Sequence, residues 1–273
     1  MIKTESNKEY HSNREYISKS RLAKMAVCPE YFKWCEENPE EPTEALTVGS
    51  AFHKIVLEPH DFDSEFVVSP LFDRRTKQGK ADYEEFVEQS NGRQIITQEQ
   101  YEMICQMRDV IMRNKYCKAL LKGRAEQSIY FEDELTGEKC KCRPDTYRQI
   151  GDRIVIVDLK SCTSADTDSF MRDVNKYAYD LQSYMYRYGV SKEFNMPIEK
   201  VDFVFIAIEK KAPYLMNILQ ADDYVGQRGE QLFREYIGMY HECKESGNWY
   251  GYNGFSGEIN NLSLPKYLIK ETE

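Results

Sequence analysis

Arg143-Pro144-Asp145, followed by Ile154-Val155-Ile156-Val157-Asp158-Leu159-Lys160, is the stretch of sequence that decides the fold. The Ile and Val residues form an apolar run that predicts a buried β-strand. That run ends in Asp158 and Lys160, and residues two positions apart on a strand point to the same face. Asp145 comes before the run, across a predicted hairpin turn. The stretch therefore predicts two carboxylates and one ammonium group gathered at the end of one strand.

This combination of charges fits metal-assisted attack on a phosphodiester. An anionic phosphate repels nucleophiles and has a poor leaving group, and a divalent ion counters both problems. Magnesium is held by a few carboxylates and keeps several waters, so Asp145 and Asp158 are candidate ligands, together with the backbone carbonyl of Leu159. Lys160 is a candidate for orienting the attacking water or stabilising the transition state. Taken alone, Asp-x-Lys at a strand end is also a common surface pattern.

Four further residues extend this group. Glu126, on an earlier predicted strand, is a third acid that could complete a site for a second ion. Gln182 and Tyr186 lie on one face of a predicted helix, because they are four residues apart; the alternative is an ordinary surface pair. His53 lies on a predicted helix with apolar neighbours, where a buried structural histidine is the alternative.

The chain length and the net charge limit the classes of protein to which this chain can belong. A chain of 273 residues can bury a substantial core. Its net charge of −9 argues against a protein that coats nucleic acid over its whole surface. A local basic channel is enough for a nuclease, and metal ions supply positive charge at the phosphate. Arg74, Arg75, Lys77 and Lys80 form a basic segment that is predicted either as a nucleic-acid contact or as a solvated loop.

Location and redox state are predicted from the same composition. No apolar run reaches the roughly 18–20 residues that span a membrane, and the N-terminus is too polar for a signal peptide, so we expect a cytoplasmic protein. The eight cysteines are therefore predicted to be reduced and structural. Cys140 and Cys142 share one strand face, but no second closely spaced pair completes a four-ligand metal site.

The remaining pattern predicts one domain. Residues 1–16 are polar and without periodicity, which predicts a flexible N-terminal arm, and 17–273 are predicted as a single domain because no internal repeat appears. The charged segment 67–93 is predicted to be mobile or ordered by a partner. Helices are expected to begin at Ser18, Pro29 and Thr97 and to cover 46–57, about 169–190 and about 224–243, and strands to cover 125–132, 139–147, 153–159, 201–208 and about 214–219.

Taken in order, the candidate residues resemble a known family. Asp145 and then Asp158-Leu159-Lys160 at the end of a hydrophobic strand resemble the PD-(D/E)xK nuclease signature. His53 upstream, Glu126 between, and Gln182-x-x-x-Tyr186 downstream are similar to the RecB-like branch of that superfamily. Within this branch the chain resembles, over most of its length, the phage and prophage RecE-type (exodeoxyribonuclease VIII-like) exonucleases.

The resemblance implies an α/β fold with a three-layer PD-(D/E)xK core, in which helices flank a central mixed β-sheet. It implies dependence on Mg²⁺, with two ions per site and Mn²⁺ able to substitute, and 5′-to-3′ digestion of one strand of linear double-stranded DNA. The product is a 3′ single-stranded overhang that a single-strand annealing protein uses in recombination. The family's members form ring-shaped homo-oligomers, expected here as a trimer or tetramer in the cytoplasm of a bacterium that carries the phage or prophage.

The resemblance also assigns roles by matching position. The metal ligands would be His53, Glu126, Asp145 and Asp158, with the backbone of Leu159. The catalytic group would comprise Lys160 and the three acids, with Gln182 and Tyr186 supporting the active site. Contacts to DNA or its 5′ phosphate are expected from Ser18, Ser20, Arg21, Arg74 and Arg75.

Two alternatives remain open. Iron–sulfur nucleases of the same superfamily need one cysteine near the first helices and a close trio near the C-terminus. Cys28 or Cys35 fits the first requirement, but Cys243 stands alone at the far end. The other alternative is a non-catalytic DNA-binding or assembly module that keeps the fold, which the presence of all the acids and Lys160 disfavours.

Overall fold

The computed structural model describes residues 1–39, 41–257 and 259–265. Its helices are α1 (Asn7–Ser12), α2 (Lys19–Leu22), α3 (Pro29–Glu37), α4 (Glu44–Leu57), α5 (Phe62–Glu65), α6 (Lys77–Gln89), α7 (Gln98–Arg113), α8 (Lys115–Leu120), α9 (Thr167–Lys176), α10 (Tyr179–Phe194) and α11 (Asp223–Ser246). Its strands are β1 (Ile2–Lys3), β2 (Ile17–Ser18), β3 (Phe66–Ser69), β4 (Gln94–Thr97), β5 (Arg124–Ala125), β6 (Ser128–Glu132), β7 (Lys139–Cys142), β8 (Thr146–Ile150), β9 (Arg153–Cys162), β10 (Val201–Glu209) and β11 (Met216–Gln220). The last residues of the domain predicted over 17–273, those after 265, lie outside the described residues.

A mixed five-stranded sheet forms the centre of the molecule, in the order β11-β10-β9-β8-β5. β9 and β10 run parallel, with Asp158 opposite Phe205, and the other neighbours are antiparallel. Both parallel strands are nearly continuous apolar runs, as expected for strands that are covered on both faces. The apolar run that ends in Asp158 is therefore the middle strand of the sheet.

The side chains of β9 alternate between two hydrophobic clusters, one on each face of the sheet. Ile156 packs in the cluster that includes residues of α10 and α11, and Leu159 packs in the cluster that includes residues of α4 and α7. Helices thus cover both faces of the sheet. The expected three-layer α/β arrangement with a central mixed sheet is confirmed.

The start of the helix predicted from Thr97 is confirmed by its N-terminal cap. The Thr97 hydroxyl accepts a hydrogen bond from the backbone N–H of Gln100 at 3.2 Å, and the Gln100 side chain accepts one from the backbone N–H of Thr97 at 2.8 Å. This reciprocal capping box satisfies two backbone donors at the start of α7. α7 then packs against α4, the helix that carries His53.

The strand predicted over 139–147 is wrong in one respect, because it is two strands in two different sheets. β7 belongs to a second sheet, in the order β1-β6-β7-β2, whereas β8 belongs to the central sheet. Pro144 lies at the break, and its ring removes a backbone N–H that a continuous ladder would need. The break places Asp145 immediately before β8 and next to β9.

The N-terminal residues form regular structure, in contrast to the flexible arm predicted for 1–16. β1 pairs with β6, and Tyr10 of α1 is buried. Two buried cations of the second sheet hold the segment: Lys141 Nζ donates to the backbone oxygen of Tyr10, and Arg143 donates to that of Glu5 at 3.1 Å. Periodicity could not reveal this segment because its strand and helix are too short to show a pattern and are fixed by side chains distant in sequence.

Two more predicted segments differ in the structure. The helix predicted over about 169–190 is interrupted between α9 and α10, where Ala178 has a φ of 51°, in the left-handed region that ends a regular helix. No glycine or proline marks this break in the sequence. The segment predicted to be mobile or ordered by a partner, 67–93, contains α6. Thr76 caps this helix, because its hydroxyl accepts a hydrogen bond from the backbone N–H of Gly79 at 2.9 Å.

Gly229 marks a close approach between α10 and α11. A Cβ atom placed there would lie 2.2 Å from the backbone oxygen of Asp180 and 2.8 Å from the Cβ of Tyr184. Gly238, in the same helix, would place a Cβ with nothing within 4 Å. The two glycines therefore form a matched pair for testing this packing.

We expect Gly229→Ala to lower the free energy of unfolding by about 2 kcal/mol, because α10 and α11 must move apart. Gly238→Ala is expected to raise it by about 0.5–1 kcal/mol, because alanine loses less conformational entropy in a helix. Urea unfolding followed by circular dichroism measures both values. The close packing of the two helices is contradicted if both substitutions stabilise the protein.

Candidate metal centre

Three ligand-type side chains meet beside the central sheet. His53, Glu126 and Asp145 place their ligand atoms within 4.8 Å of one another. α4 supplies the histidine, the connection between β5 and β6 supplies the glutamate, and the residue before β8 supplies the aspartate. Within residues 1–39, 41–257 and 259–265, this is the one group of three or more His, Cys, Asp or Glu side chains with such spacing. We call these three residues the ligand trio.

The backbone around Glu126 brings the two acids of the trio together. Glu126 has a φ of 50°, an uncommon left-handed conformation for a residue with a side chain. Its backbone N–H donates to the backbone oxygen of Asp145 at 3.1 Å. Glu126 was predicted on a strand; the structure places it in a turn, where the chain leaves the central sheet for the second sheet.

Asp145 is fixed through both of its carboxylate oxygens. Oδ2 accepts a hydrogen bond from the backbone N–H of Leu159 at 2.6 Å, and Oδ1 lies 3.2 Å from His53 Nδ1. Although burial alone would raise it, the pKa of Asp145 is lowered by His53, by the charge of Lys160 and by the Leu159 hydrogen bond. The aspartate is therefore an anion at neutral pH.

The other two members of the trio have raised pKa values. Burial opposes the charge on His53, but the Asp145 carboxylate outweighs it and raises the pKa of His53 to about 9. Burial, with the adjacent charge of Asp145, raises the pKa of Glu126 to about 7. The Asp145 and Glu126 carboxylates repel each other at this spacing unless one of them is protonated or a cation is bound, whereas a protonated His53 attracts both.

Asp158 and Lys160 form a second group next to the trio. Asp158 is 1% exposed, Lys160 Nζ forms an ion pair with its Oδ2, and Gln182 Nε2 donates to its Oδ1 at 2.5 Å. The Lys160 ammonium also lies 4.7 Å from the ring centroid of Tyr179. Asp158 is not a member of the ligand trio, so its assignment as a metal ligand stays a prediction.

A cleft of about 590 Å³ opens over the trio and Lys160. α4 contributes Leu46, Gly49 and Ser50 to the wall of this cleft, and the N-terminal segment contributes Ser6 and His11. Arg143, which precedes the Pro-Asp pair, is buried and lines the same cleft. Ser6 and His11 lie in the segment predicted as a flexible arm, so their place at the cleft was not predicted.

A second pocket of about 290 Å³ continues from this cleft past Lys160 and Tyr179. Gln182 and Tyr186 both line it, and their support of the active site stays a prediction. Ser18 and Ser20 line it as well, with their hydroxyl oxygens 3.2 Å apart.

Comparison with known proteins identifies the family to which the chain belongs. Residues 18–263 match the family model described as a PDDEXK-like domain of unknown function (DUF3799). The chain belongs to this PDDEXK-like family. A solved structure from Eubacterium rectale, named "Putative exonuclease", shares the fold, with a TM-score of 0.63 and 18% identity over 96% of this chain and 97% of that chain.

A second structure, of the protein SSO0001, matches at a TM-score of 0.30 and 13% identity over 70% of this chain and 86% of that one. No curated protein matches. Membership of the PDDEXK-like family, the fold and the residue pattern together support a nuclease.

The PDDEXK-like assignment accords with the chemistry of the trio. PDDEXK nucleases use divalent metal ions, and carboxylate oxygens with one imidazole are donors that such ions accept. His53, Glu126 and Asp145 would hold the ion. Asp145 is buried and His53 and Glu126 are half-buried, so an ion there would also neutralise carboxylates that are partly shielded from water.

Not every residue expected to contact DNA lies at the cleft. Arg21 donates to the Glu36 carboxylate through two nitrogens and to backbone oxygens of the N-terminal segment. Arg74 lies 4.3 Å from the ring centroid of Tyr83, and Arg75 pairs with an aspartate two residues before it. Neither Arg74 nor Arg75 lines the cleft, and their contacts to DNA stay predictions.

The cysteines do not gather into a cluster. All eight are free thiols, as expected for structural cysteines, and burial raises the pKa of Cys117 and Cys162 to about 11. The metal-ligand geometry found in the described ranges includes none of them. The four-cysteine site that the iron–sulfur alternative requires is therefore not formed there.

Proposed function

We propose that this PDDEXK-like protein is a divalent-metal-dependent deoxyribonuclease that digests one strand of linear double-stranded DNA from its 5′ end. The observation that carries the proposal is a cleft lined by the ligand trio and by Lys160, whose ammonium group forms an ion pair with Asp158. This arrangement combines a place for a cation with a half-buried ammonium group. Both are needed where a phosphodiester is attacked by water.

The chain's own residues would divide the chemistry between them. A bound divalent ion supplies a more acidic water and neutralises charge on the phosphate. Lys160 would orient the water or stabilise charge that develops on the phosphate oxygens. Gln182 holds Asp158 by a hydrogen bond, and Tyr179 packs against the Lys160 ammonium, so both would fix the ion pair's position.

The finer details of this proposal rest on the resemblance to RecE-type exonucleases. We propose Mg²⁺ as the ion, because two of the three donors are carboxylates, with Mn²⁺ able to substitute because it also accepts imidazole. A second ion would use Asp158 and the backbone carbonyl of Leu159.

The 3′ overhang would pass to a single-strand annealing protein. The enzyme would act as a homo-oligomeric ring of three or four subunits in the cytoplasm of a phage-carrying or prophage-carrying bacterium. None of the helices in the described ranges is long and apolar enough to cross a membrane.

Digestion of linear duplexes labelled at one end tests activity, metal requirement and polarity together. With Mg²⁺, a 5′ label is expected to appear early as a short product, whereas a 3′ label is expected to shorten progressively. With EDTA no product is expected. Closed circular DNA of the same sequence is the matched control and should stay intact.

Each possible result has a definite meaning. Rapid nicking of the circle would indicate an endonuclease, and early release of the 3′ label would reverse the polarity. The absence of any metal-dependent cleavage would overturn the proposal in favour of a non-catalytic module with this fold.

A further inference from the structure

A run of basic residues lies immediately before Glu126 of the ligand trio in the sequence. Between Asp109 and Glu126 every charged residue is a cation, although the whole chain carries a net charge of −9. These cations are Arg113, Lys115, Lys118, Lys122 and Arg124. A run of charge is most often a solvated surface, so its environment decides whether it has a further role.

The structure places these cations on one surface. Lys115, Lys118 and Lys122 are spaced three and four residues apart along and just beyond α8, which puts them on one side, while Cys117 faces the core. Arg124 lies on β5, the edge strand of the central sheet. Arg148 of the neighbouring β8 donates to the last turn of α8 through the backbone oxygen of Ala119.

None of these cations is neutralised by an acid. Lys115, Lys118, Lys122, Arg124 and Arg148 form no ion pair with any residue of the described ranges, whereas lysines elsewhere, such as Lys200 with Asp152, do. A pocket of about 310 Å³ lies between Lys122, Arg124 and Arg148, with the rings of Tyr147 and Phe194 in its wall and no acidic residue. Uncompensated cations gathered around one pocket are suited to a polyanion.

The position of the surface relative to the trio identifies the polyanion. Arg124 is two residues from Glu126, a span of at most about 7 Å, so phosphates next to the cleaved one can reach it. The six-residue α8 is about 9 Å long at a helical rise of about 1.5 Å per residue, and Lys122 lies just beyond its end. That distance matches about three base-pair steps of about 3.4 Å each. Tyr116, which is 62% exposed beside Lys115, adds an aromatic ring to the same surface.

We propose that this surface, which we call the α8 track (Lys115, Lys118, Lys122, Arg124 and Arg148), binds the phosphate backbone of the DNA that flanks the cleaved bond. The inference rests on the proposed nuclease function, because it takes the substrate to be DNA whose end lies in the cleft. The α8 track gives an acidic protein a local positive path for its substrate. Its contacts are with phosphates, so it adds affinity and register without sequence preference.

The test removes the three lysines together and measures binding apart from cleavage. The variant is Lys115→Gln/Lys118→Gln/Lys122→Gln. The control, Lys33→Gln/Lys192→Gln/Lys200→Gln, changes the net charge equally but removes lysines that are paired with carboxylates. Fluorescence anisotropy with a short blunt duplex in EDTA, at several KCl concentrations, gives the dissociation constant and its salt dependence. Hydrolysis of thymidine 5′-(p-nitrophenyl phosphate) with Mg²⁺ tests the chemistry without flanking phosphates.

We expect the variant to bind DNA about tenfold or more weakly at low salt, with a salt slope reduced by about 0.9 for each phosphate that the lysines no longer neutralise. Hydrolysis of the small substrate should equal that of the wild type. Equal binding by the variant and the wild type would overturn the inference, and so would equal weakening in the variant and the control.

Failure of the proposed function gives a different result. If the wild-type protein binds the duplex through the lysines but hydrolyses neither substrate, the nuclease proposal falls and the α8 track stands. If the wild type does not bind DNA, the α8 track proposal falls, and an acidic protein becomes the better occupant of this surface.

Discussion

Replacing Asp158 with asparagine is expected to lower the rate of DNA cleavage by at least about a thousandfold while the fold survives. Asparagine keeps the size of the side chain and an oxygen that can accept the Gln182 hydrogen bond. It removes the negative charge that holds the Lys160 ammonium in place and that could share a cation. Single-turnover cleavage of end-labelled duplex, with thermal unfolding as a check on the fold, measures both effects.

Lys160→Ala is expected to cause a loss of similar size, because it removes the cation at the cleft. It also leaves a buried carboxylate without its partner, so some loss of stability is expected in addition. Asp158→Asn/Lys160→Met removes both charges and should recover that stability without recovering activity. Because the two residues act as one unit, the double variant should be no less active than either single variant.

Asp152→Asn is the matched control for this prediction. Asp152 also pairs with a lysine, Lys200, but its side chain is 76% exposed and the pair lies at the turn before β9. Cleavage by this variant should equal that of the wild type. Full activity in Asp158→Asn or in Lys160→Ala would contradict the assignment of the active site.

The sequence revealed those parts of the site that depend on local pattern. The apolar run before Asp158 shows that the strand is buried, and the alternation of side chains places Lys160 beside Asp158. A spacing of four residues places Gln182 and Tyr186 on one face of α10, and both line the second pocket. These features need only the period of a strand or a helix.

Features that depend on contacts between distant segments could not be predicted. The left-handed backbone of Ala178 and Glu126 carries no glycine signal, so one helix appears continuous and Glu126 appears to lie on a strand. The N-terminal wall of the cleft depends on Lys141 and Arg143, buried cations whose partners are backbone oxygens more than a hundred residues away. Backbone oxygens leave no trace in the sequence, which explains why residues 1–16 appeared to be a flexible arm.

Arg234→Met is expected to lower the free energy of unfolding by about 3–5 kcal/mol, because it leaves a buried carboxylate without its cation. Asp133, in the turn between β6 and β7, has a side chain with 0% exposure. Its Oδ1 accepts a hydrogen bond from Arg234 of α11 at 2.5 Å, and its Oδ2 accepts from the N–H and hydroxyl of Thr136 at 3.0 and 2.9 Å. The pair joins the long C-terminal helix to the second sheet. Urea unfolding at neutral pH measures the loss.

The Asp133–Arg234 ion pair also predicts how the free energy of unfolding changes as the pH falls. Burial alone would raise the pKa of Asp133, but the hydrogen bonds from Arg234 and Thr136 lower it below its ordinary value. A group whose pKa is lower in the folded state than in the unfolded state stabilises the protein above its unfolded pKa, about 3.9 for aspartate. That contribution is lost as the pH falls through the folded value. The wild type should therefore lose stability more steeply than Arg234→Met between about pH 5 and pH 3.

A double variant separates the charge from the packing. Asp133→Asn/Arg234→Met removes both charges and should recover much of the stability lost in Arg234→Met, since the buried group is then neutral. Lys200→Met, at an ion pair whose partner Asp152 is 76% exposed, should change the free energy of unfolding by less than about 1 kcal/mol. If Arg234→Met and Lys200→Met lose equal stability, Asp133 is reached by water, and the charge pair does not hold α11 against the second sheet.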